Sequence, residues 1–358
     1  MKHKQNAAEM TKIHKLSLSA TKRILSMLLA MTMVFSMLPL SALAAEPTAA
    51  AEEPVFDNVV ASSAAGASSY WVLTEDGRLV FYGEGEITND SVWGQYKSDV
   101  RSIEIMEGIT SICTFAFKDF TNLESVSIAG SVEVIGNAAF SGCENLTEVI
   151  IGDGVETIEG HAFSDCFSLE SVEIPDSVKA IGDSAFADCY NLSHVTLGDG
   201  VEYIDYWAFT DTALTEIVIP SSVDTIESYA LENCDSLRDL TISDGVGHIG
   251  HGAFMSCDSL ESVEIPGSVT TIGESAFADC VSLTDVTLRE GIENIGYMAF
   301  ADCYEIGSVV IPSSVTNIGS DAFSDLSSIR FLGDAPEIAT WYYSYEDLIC
   351  YYPRDNST

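Results

Sequence analysis

Seven cysteines occupy one recurring place in this chain. Cys143, Cys166, Cys189, Cys234, Cys257, Cys280 and Cys303 each close an A-[FL]-x-x-C segment, at intervals of 23 residues with one gap of 45. Thiols at a fixed period raise the chemistries of metal ligation, disulfide exchange and structural disulfides. The total of nine is odd, and Cys113 and Cys350 lie outside the column. If each period is one coil of a stack, in-register Cα atoms sit about 4.8 Å apart, within disulfide range, yet in-register side chains share a rotamer and point alike. The same slot holds Phe120 in the first coil, Thr212 in the fifth and Leu326 in the last, and a metal or redox ladder would not accept Phe or Leu. The expected role is that of a small buried hydrophobe, with disulfides and metal ligation as the alternatives.

Aspartates recur in the same manner. Asp165, Asp188 and Asp211 share one slot in successive periods, as do Asp279, Asp302 and Asp325. Like charges about 5 Å apart in water repel by only about 0.8 kcal/mol, so a solvated ladder is tolerable, with calcium bridging as the competing reading. His161, His194, His248 and His251 fall on different slots or coils and assemble no ligand set. No H-E-x-x-H, G-x-S-x-G or Lys-bearing phosphate loop occurs. The expectation is a non-enzyme with no catalytic residues, no metal site and no cofactor.

The period itself sets the elements that hold these residues. Leu123, Leu146, Leu169, Leu192, Leu214, Leu237, Leu260, Leu283, Ile306 and Ile329 lead units spaced 23 residues apart, once 22. A degenerate first copy begins at Val100. Within a unit, Val172 and Ile174 alternate with polar residues, which is strand periodicity. The following "PDSV" or "GDGV" is turn chemistry, with Gly154, Gly200 and Gly245 expected to take positive φ. The "SAFADC" segment suits one helical or 3-10 turn. A single coil buries too little to offset the ordering of its backbone, so several must stack with closed ends. From Leu146 onward, units with "x-[DE]-G-[VI]" alternate with "IP-x-S-V" units, which points to a duplicated four-coil block.

The flanks differ in composition. Residues 1–44 combine a basic leader, the apolar run "ILSMLLAMTMVFSMLPL" and the small residues Ala42 and Ala44, the pattern of a cleaved secretory signal peptide. Its loss removes six of the 15 Lys/Arg and one of the 55 Asp/Glu, leaving 9 against 54 and a charge near −45. Nucleic acid and anionic bilayers, which require Lys and Arg, are therefore disfavoured, and no membrane insertion is expected after cleavage. Residues 45–69 read as an Ala/Ser-rich linker. Residues 70–99 read as an N-terminal hairpin cap turning at Asp76-Gly77, residues 100–328 as about ten coils, and residues 329–358 as a C-terminal cap.

The unit L-x-x-V-x-I-P-x-S-V-x-x-I-G-x-x-A-F-x-x-C resembles the BspA-type leucine-rich repeats of bacterial surface proteins over residues 100–328. "YWVLTEDGRLVFYGEGEI" with "SVWGQYKSDVRSIEIMEGITSI" resembles the segment that commonly precedes such repeats, and "ICYYPRDNST" resembles a terminal element cut before its Trp. The resemblance implies a curved leucine-rich-repeat solenoid, strand plus short turn per coil, with a parallel sheet on its concave face. It further implies export to the cell surface and use in adhesion or recognition, with no catalytic residues.

Two surfaces are then candidate binding sites. The outward strand positions hold Glu148, Glu173, His194, Thr196, Glu216, Asp239, Thr241, Glu264, Asp285 and Thr287, an acidic, Thr-interspersed face. Tyr203, Tyr206 and Trp207 in one coil neighbour Tyr229 in the next, and aromatics of this kind are enriched at interfaces. The partner expected is a host or neighbouring-cell surface protein or a glycan, met by a monomeric, extracellular, surface-associated protein whose repeats favour avidity. The alternatives are a non-catalytic module of a larger, glycan-active surface enzyme and a structural spacer.

Overall fold

The computed structural model describes residues 54–88, 92–323, 326–334, 336–338 and 349–353. The expected leader at residues 1–44, Asp325 and residues 354–358 of the terminal element lie outside the described residues.

Each coil has three sides. In the coil led by Leu169, a long strand (Ser171–Ile174) precedes a turn, a two-residue strand (Ala180–Ile181) and a closing segment that ends at Cys189. Val172 and Ile174 point inward while Ser171 and Glu173 face out, as the alternation requires. Leu169, Val178, Ile181, Ala185, Phe186 and Cys189 complete the interior and are buried. Stacking aligns equivalent residues, so Phe140, Phe163, Phe186 and Phe209 form one ring column with centroids 5.2–5.4 Å apart. A second column runs through Phe254, Phe277, Phe300 and Phe323, the two separated by Leu231.

The short strands form an unbroken parallel ladder from Ile109–Ile112 to Glu337–Ile338. The long strands do not. Among the described residues, no pairing joins Glu148–Ile151 to Ser171–Ile174, Asp239–Ile242 to Ser262–Ile265, or Asp285–Leu288 to Ser308–Ile311. Between His194–Leu197 and Glu216–Ile219 only His194 and Glu216 pair. The downstream strand at each of these four junctions runs directly into proline: Pro175, Pro220, Pro266 or Pro312. In several other coils the residue in that place donates its amide to the preceding coil, as Ser243 does to the Ile219 carbonyl at 3.1 Å and Arg289 to that of Ile265 at 3.1 Å. All four openings coincide with a proline, which has no N–H to give at that place. Apolar side chains upstream of the openings are correspondingly less covered. Leu197, Leu240 and Val286 are only half-buried, whereas Val172, Ile217, Val263 and Val309 in the proline coils are buried. The alternating repeat is thus a physical segmentation of the sheet as well as a trace of duplication.

The closing segment departs from the expected helical turn. The 3-10 turn at Gly94–Tyr96 lies outside the repeats. Within a repeat, two residues four apart take left-handed φ, such as Ser184 at 54° and Asp188 at 60°. Alternate amides then point forward to the next coil: Ser184, Phe186 and Asp188 donate to the carbonyls of Tyr206, Ala208 and Thr210 at 2.8, 2.8 and 3.1 Å. The third side is therefore its own hydrogen-bonded ladder.

Four further expectations need correction. Residues 45–69 are not linker throughout, because Val59–Ala64 (β1) pairs antiparallel with Ser68–Thr74 (β2), and Ala65 and Ser69 are buried. Strand β2 continues through the Asp76-Gly77 turn into Arg78–Ile87 (β3), so three strands meander here. Strand β3 pairs both strands of the first coil by bending at Gly83 and Gly85, with φ of 100° and 92°. Of the three turn glycines, Gly245 has positive φ, at 133°. Gly154 and Gly200 are instead required by contact, since a Cβ would meet the preceding coil's carbonyl oxygen at 1.7 and 1.8 Å. The last coil is short: Ser308 pairs with Ser328, which puts Ile329 opposite Val309 and buried Leu326 at the leading position. Leu326 is therefore no member of the cysteine column.

Candidate functional site

The thiol column is inert by construction. The seven cysteines of the column are buried and carry free thiols. Each column Sγ donates to a main-chain carbonyl 25 or 26 residues earlier, from Cys303 to Phe277 at 3.0 Å to Cys257 to Leu231 at 3.5 Å. Burial pushes the Cys143 and Cys234 thiols up to about 12. Thr212 fits the slot because its hydroxyl finds the Phe209 carbonyl at 2.9 Å. A weak donor of the right size is what the position asks for.

The aspartate column also has a backbone cause. Asp165, Asp188, Asp211, Asp279 and Asp302 all stand at the second left-handed position, with φ of 56–61°. Asp and Asn tolerate this region better than most residues. Asn233 fills the same slot with φ 58°. Burial and the neighbouring carboxylate raise Asp165 and Asp279 above the ordinary range, which is the electrostatic cost of stacking them. Among the described residues, no group of three His, Cys, Asp or Glu is placed to hold a metal ion.

The strand-face candidates lie where the alternation places them: Glu148, Glu173, His194, Thr196, Glu216, Asp239, Thr241, Glu264, Asp285 and Thr287 are all exposed. The face is less uniformly acidic than the sequence pattern suggests. Ile150, Val218 and Val310 stand on it at 52, 58 and 44 % exposure. Glu264 accepts from Arg289 Nε at 2.7 Å, and this ion pair holds its carboxyl below the usual range. It borders a shallow groove with Leu240, Thr241, Ile242 and Pro266, at one of the openings in the ladder.

The aromatic candidates form a built arrangement. Trp207 and Tyr229 occupy the first left-handed position of adjacent coils, with φ of 53° and 62°. Their rings stack with centroids 5.4 Å apart and planes 2° from parallel. Tyr206 leans on Trp207 at 6.0 Å, and His251 meets Tyr229 edge-on at 4.8 Å. Gly252, at φ +60°, lets the Tyr229 ring lie across it: a Cβ there would come within 2.6 Å of the ring. The indole N–H of Trp207 is turned to the Glu232 carboxylate, which burial and Asp211 raise above the usual range. Glu227, foremost, raises the phenol of Tyr206. Tyr203 is exposed on the short-strand side, and no ring contact joins it to the others among the described residues. His251 joins the cluster unforeseen. Its one sequence signal was the break in slot, where a Gly follows it in the position held by Trp and Tyr in the coils before.

Bulky side chains at positive φ are outliers, at a cost of about 1–2 kcal/mol each. The same slot holds Ala138, Ser184 and Ser275 in three other coils, and Phe115, His161 and Met298 in three more. Nothing in the fold demands Trp or Tyr there, and Trp207 keeps 40 % of its surface exposed.

Residues 95–214 and 202–330 match the family model of the BspA type leucine rich repeat region. No curated protein matches the chain. Among solved structures, a leucine rich cell surface protein from Faecalibacterium prausnitzii is 27% identical, with 83% of this chain and 97% of that one covered at a TM-score of 0.46. A leucine-rich repeat protein from Bacteroides ovatus is 23% identical, covering 84% and 90%, at a TM-score of 0.54. The latter likeness is one of fold.

Proposed function

Because the chain belongs to the BspA-type leucine-rich-repeat family, we propose that it is an exported, cell-surface recognition protein that binds a protein or glycan on the flank of its solenoid. The exposed Trp207–Tyr229 stack carries this reading. Two adjacent aromatic residues at a strained position that Ala or Ser is able to fill, as in three other coils, are retained at a cost to the fold, and rigid aromatic area is what interface centres use. The acidic strand face, including Glu173, Glu216, Asp239 and Glu264, extends the surface on another side of the coil. The leader in residues 1–44 and the similarity to a described cell surface protein support the location. The repeats form walls with a packed interior and shallow grooves, which suits binding along a surface.

The test is capture on protein and glycan arrays by the chain recovered from culture medium. Trp207→Ala, Glu173→Lys and Glu264→Lys variants are compared with it. Loss of a captured ligand in the Trp207 variant is expected. Capture indifferent to all three substitutions would remove both surfaces from consideration.

A further inference from the structure

We propose that the open face of Trp207 seats an arginine side chain of a basic partner protein. This rests on the reading of the solenoid as a recognition surface and names what the aromatic stack would recognise. One indole face lies on Tyr229, so the other is directed toward the preceding coil. There the same slot holds Ser184, fixed beside this coil by its amide bond to the Tyr206 carbonyl at 2.8 Å. Ser184 is too small to cover an indole, and the column of parallel rings therefore ends on an accessible face. A flat group entering over Ser184 would extend the stack by one member.

Charge selects the group. No Lys or Arg occurs between Lys179 and Arg238, a stretch with eleven Asp or Glu. Asp183, about half exposed, stands next to Ser184 and receives its hydroxyl at 3.1 Å. Asp205 and Glu227 flank Tyr206, while Glu232 and Asp211 lie on the indole N–H side. A cation is attracted to both the ring face and the carboxylates. The guanidinium is planar, weakly hydrated and able to stack while forking to a carboxylate, which an ammonium cannot do. A neutral sugar would use the ring face and forgo the charge.

The experiment measures binding of oligo-arginine, oligo-lysine and oligo-citrulline peptides of equal length to the full exported chain at physiological ionic strength. Long-range attraction to an acidic protein is common to the arginine and lysine peptides, so their difference isolates the stacked site. Oligo-arginine is expected to bind about tenfold more tightly than oligo-lysine and to perturb Trp207 fluorescence. That preference is expected to vanish in Trp207→Ala, and in Ser184→Tyr, which fills the open face with a residue the slot accepts at Tyr229. Melting curves establish that both variants fold. Equal binding of the arginine and lysine peptides, or a preference that survives in either folded variant, overturns the proposal. A partner captured through Trp207 without any arginine preference would overturn it and leave the recognition reading standing. If no ligand of any class depends on Trp207, both fall.

Discussion

The thiol column predicts a sharp division in reactivity. At pH 8, a thiol with pKa near 12 is about one part in ten thousand thiolate, while an ordinary one near 8.5 is about a quarter thiolate. For Cys143 and Cys234 this alone slows alkylation by roughly two-thousand-fold. Burial adds to it, because the reagent must await a local opening. In the native protein, iodoacetamide or a chromogenic disulfide should therefore modify exposed Cys350 first, then half-buried Cys113, and leave the column untouched for hours. After denaturation without reductant the seven column thiols should all react, since they are free in the fold. Peptide mass mapping of the two samples distinguishes the sites. Column thiols that stay unreactive after denaturation would mean disulfides and would refute the assigned hydrogen bonds to main-chain carbonyls. Native labelling of Cys189 or Cys280 at the rate of Cys350 would refute the buried column.

Three other perturbations follow from the same geometry. Pro266→Ser supplies the missing amide opposite the Ile242 carbonyl. A hydrogen bond worth about 1 kcal/mol is offset by about 0.4–1 kcal/mol of regained unfolded-state freedom. Stability should hardly change while amide exchange in Ser262–Ile265 slows; unchanged exchange would mean that proline is not what opens the ladder. Gly252→Ala should lose about 1–2 kcal/mol from the left-handed backbone and push the Tyr229 ring aside. Near-UV circular dichroism and Trp fluorescence would report the broken stack, and unaltered spectra would contradict the placement of the ring. The carboxyls of Asp165, Asp235, Asp279 and Glu232 are raised in the folded protein, chiefly by burial. Their stabilising contribution is complete below the unfolded value near 4 and is lost as pH rises through the folded pKa. The melting temperature should climb as pH is lowered from 7 toward 5, and a falling one would be inconsistent with these shifts.

The sequence alone determined the solenoid. A 23-residue period with Leu, Val, Ile, Ala and Phe at fixed places leaves no other way to bury those side chains, and the outward strand residues follow from a period of two. It also made Cys189 a packing position, since Phe120 and Thr212 share the slot. The tertiary structure decided what depends on neighbours across coils. The aspartate slot reads in sequence as a charge pattern, but only the forward-pointing amides show that it needs left-handed backbone. Proline's effect on the sheet is invisible in a single unit because the amide it lacks would have served the unit before. Tyr206, Trp207 and Tyr229 were legible as an aromatic cluster. That Trp207 stacks flat on Tyr229, that His251 joins while Tyr203 does not, and that Ser184 is the next member of the slot were fixed by register between coils. Register places residues 22 or 23 apart side by side, and no local pattern along the chain records which ring faces then meet.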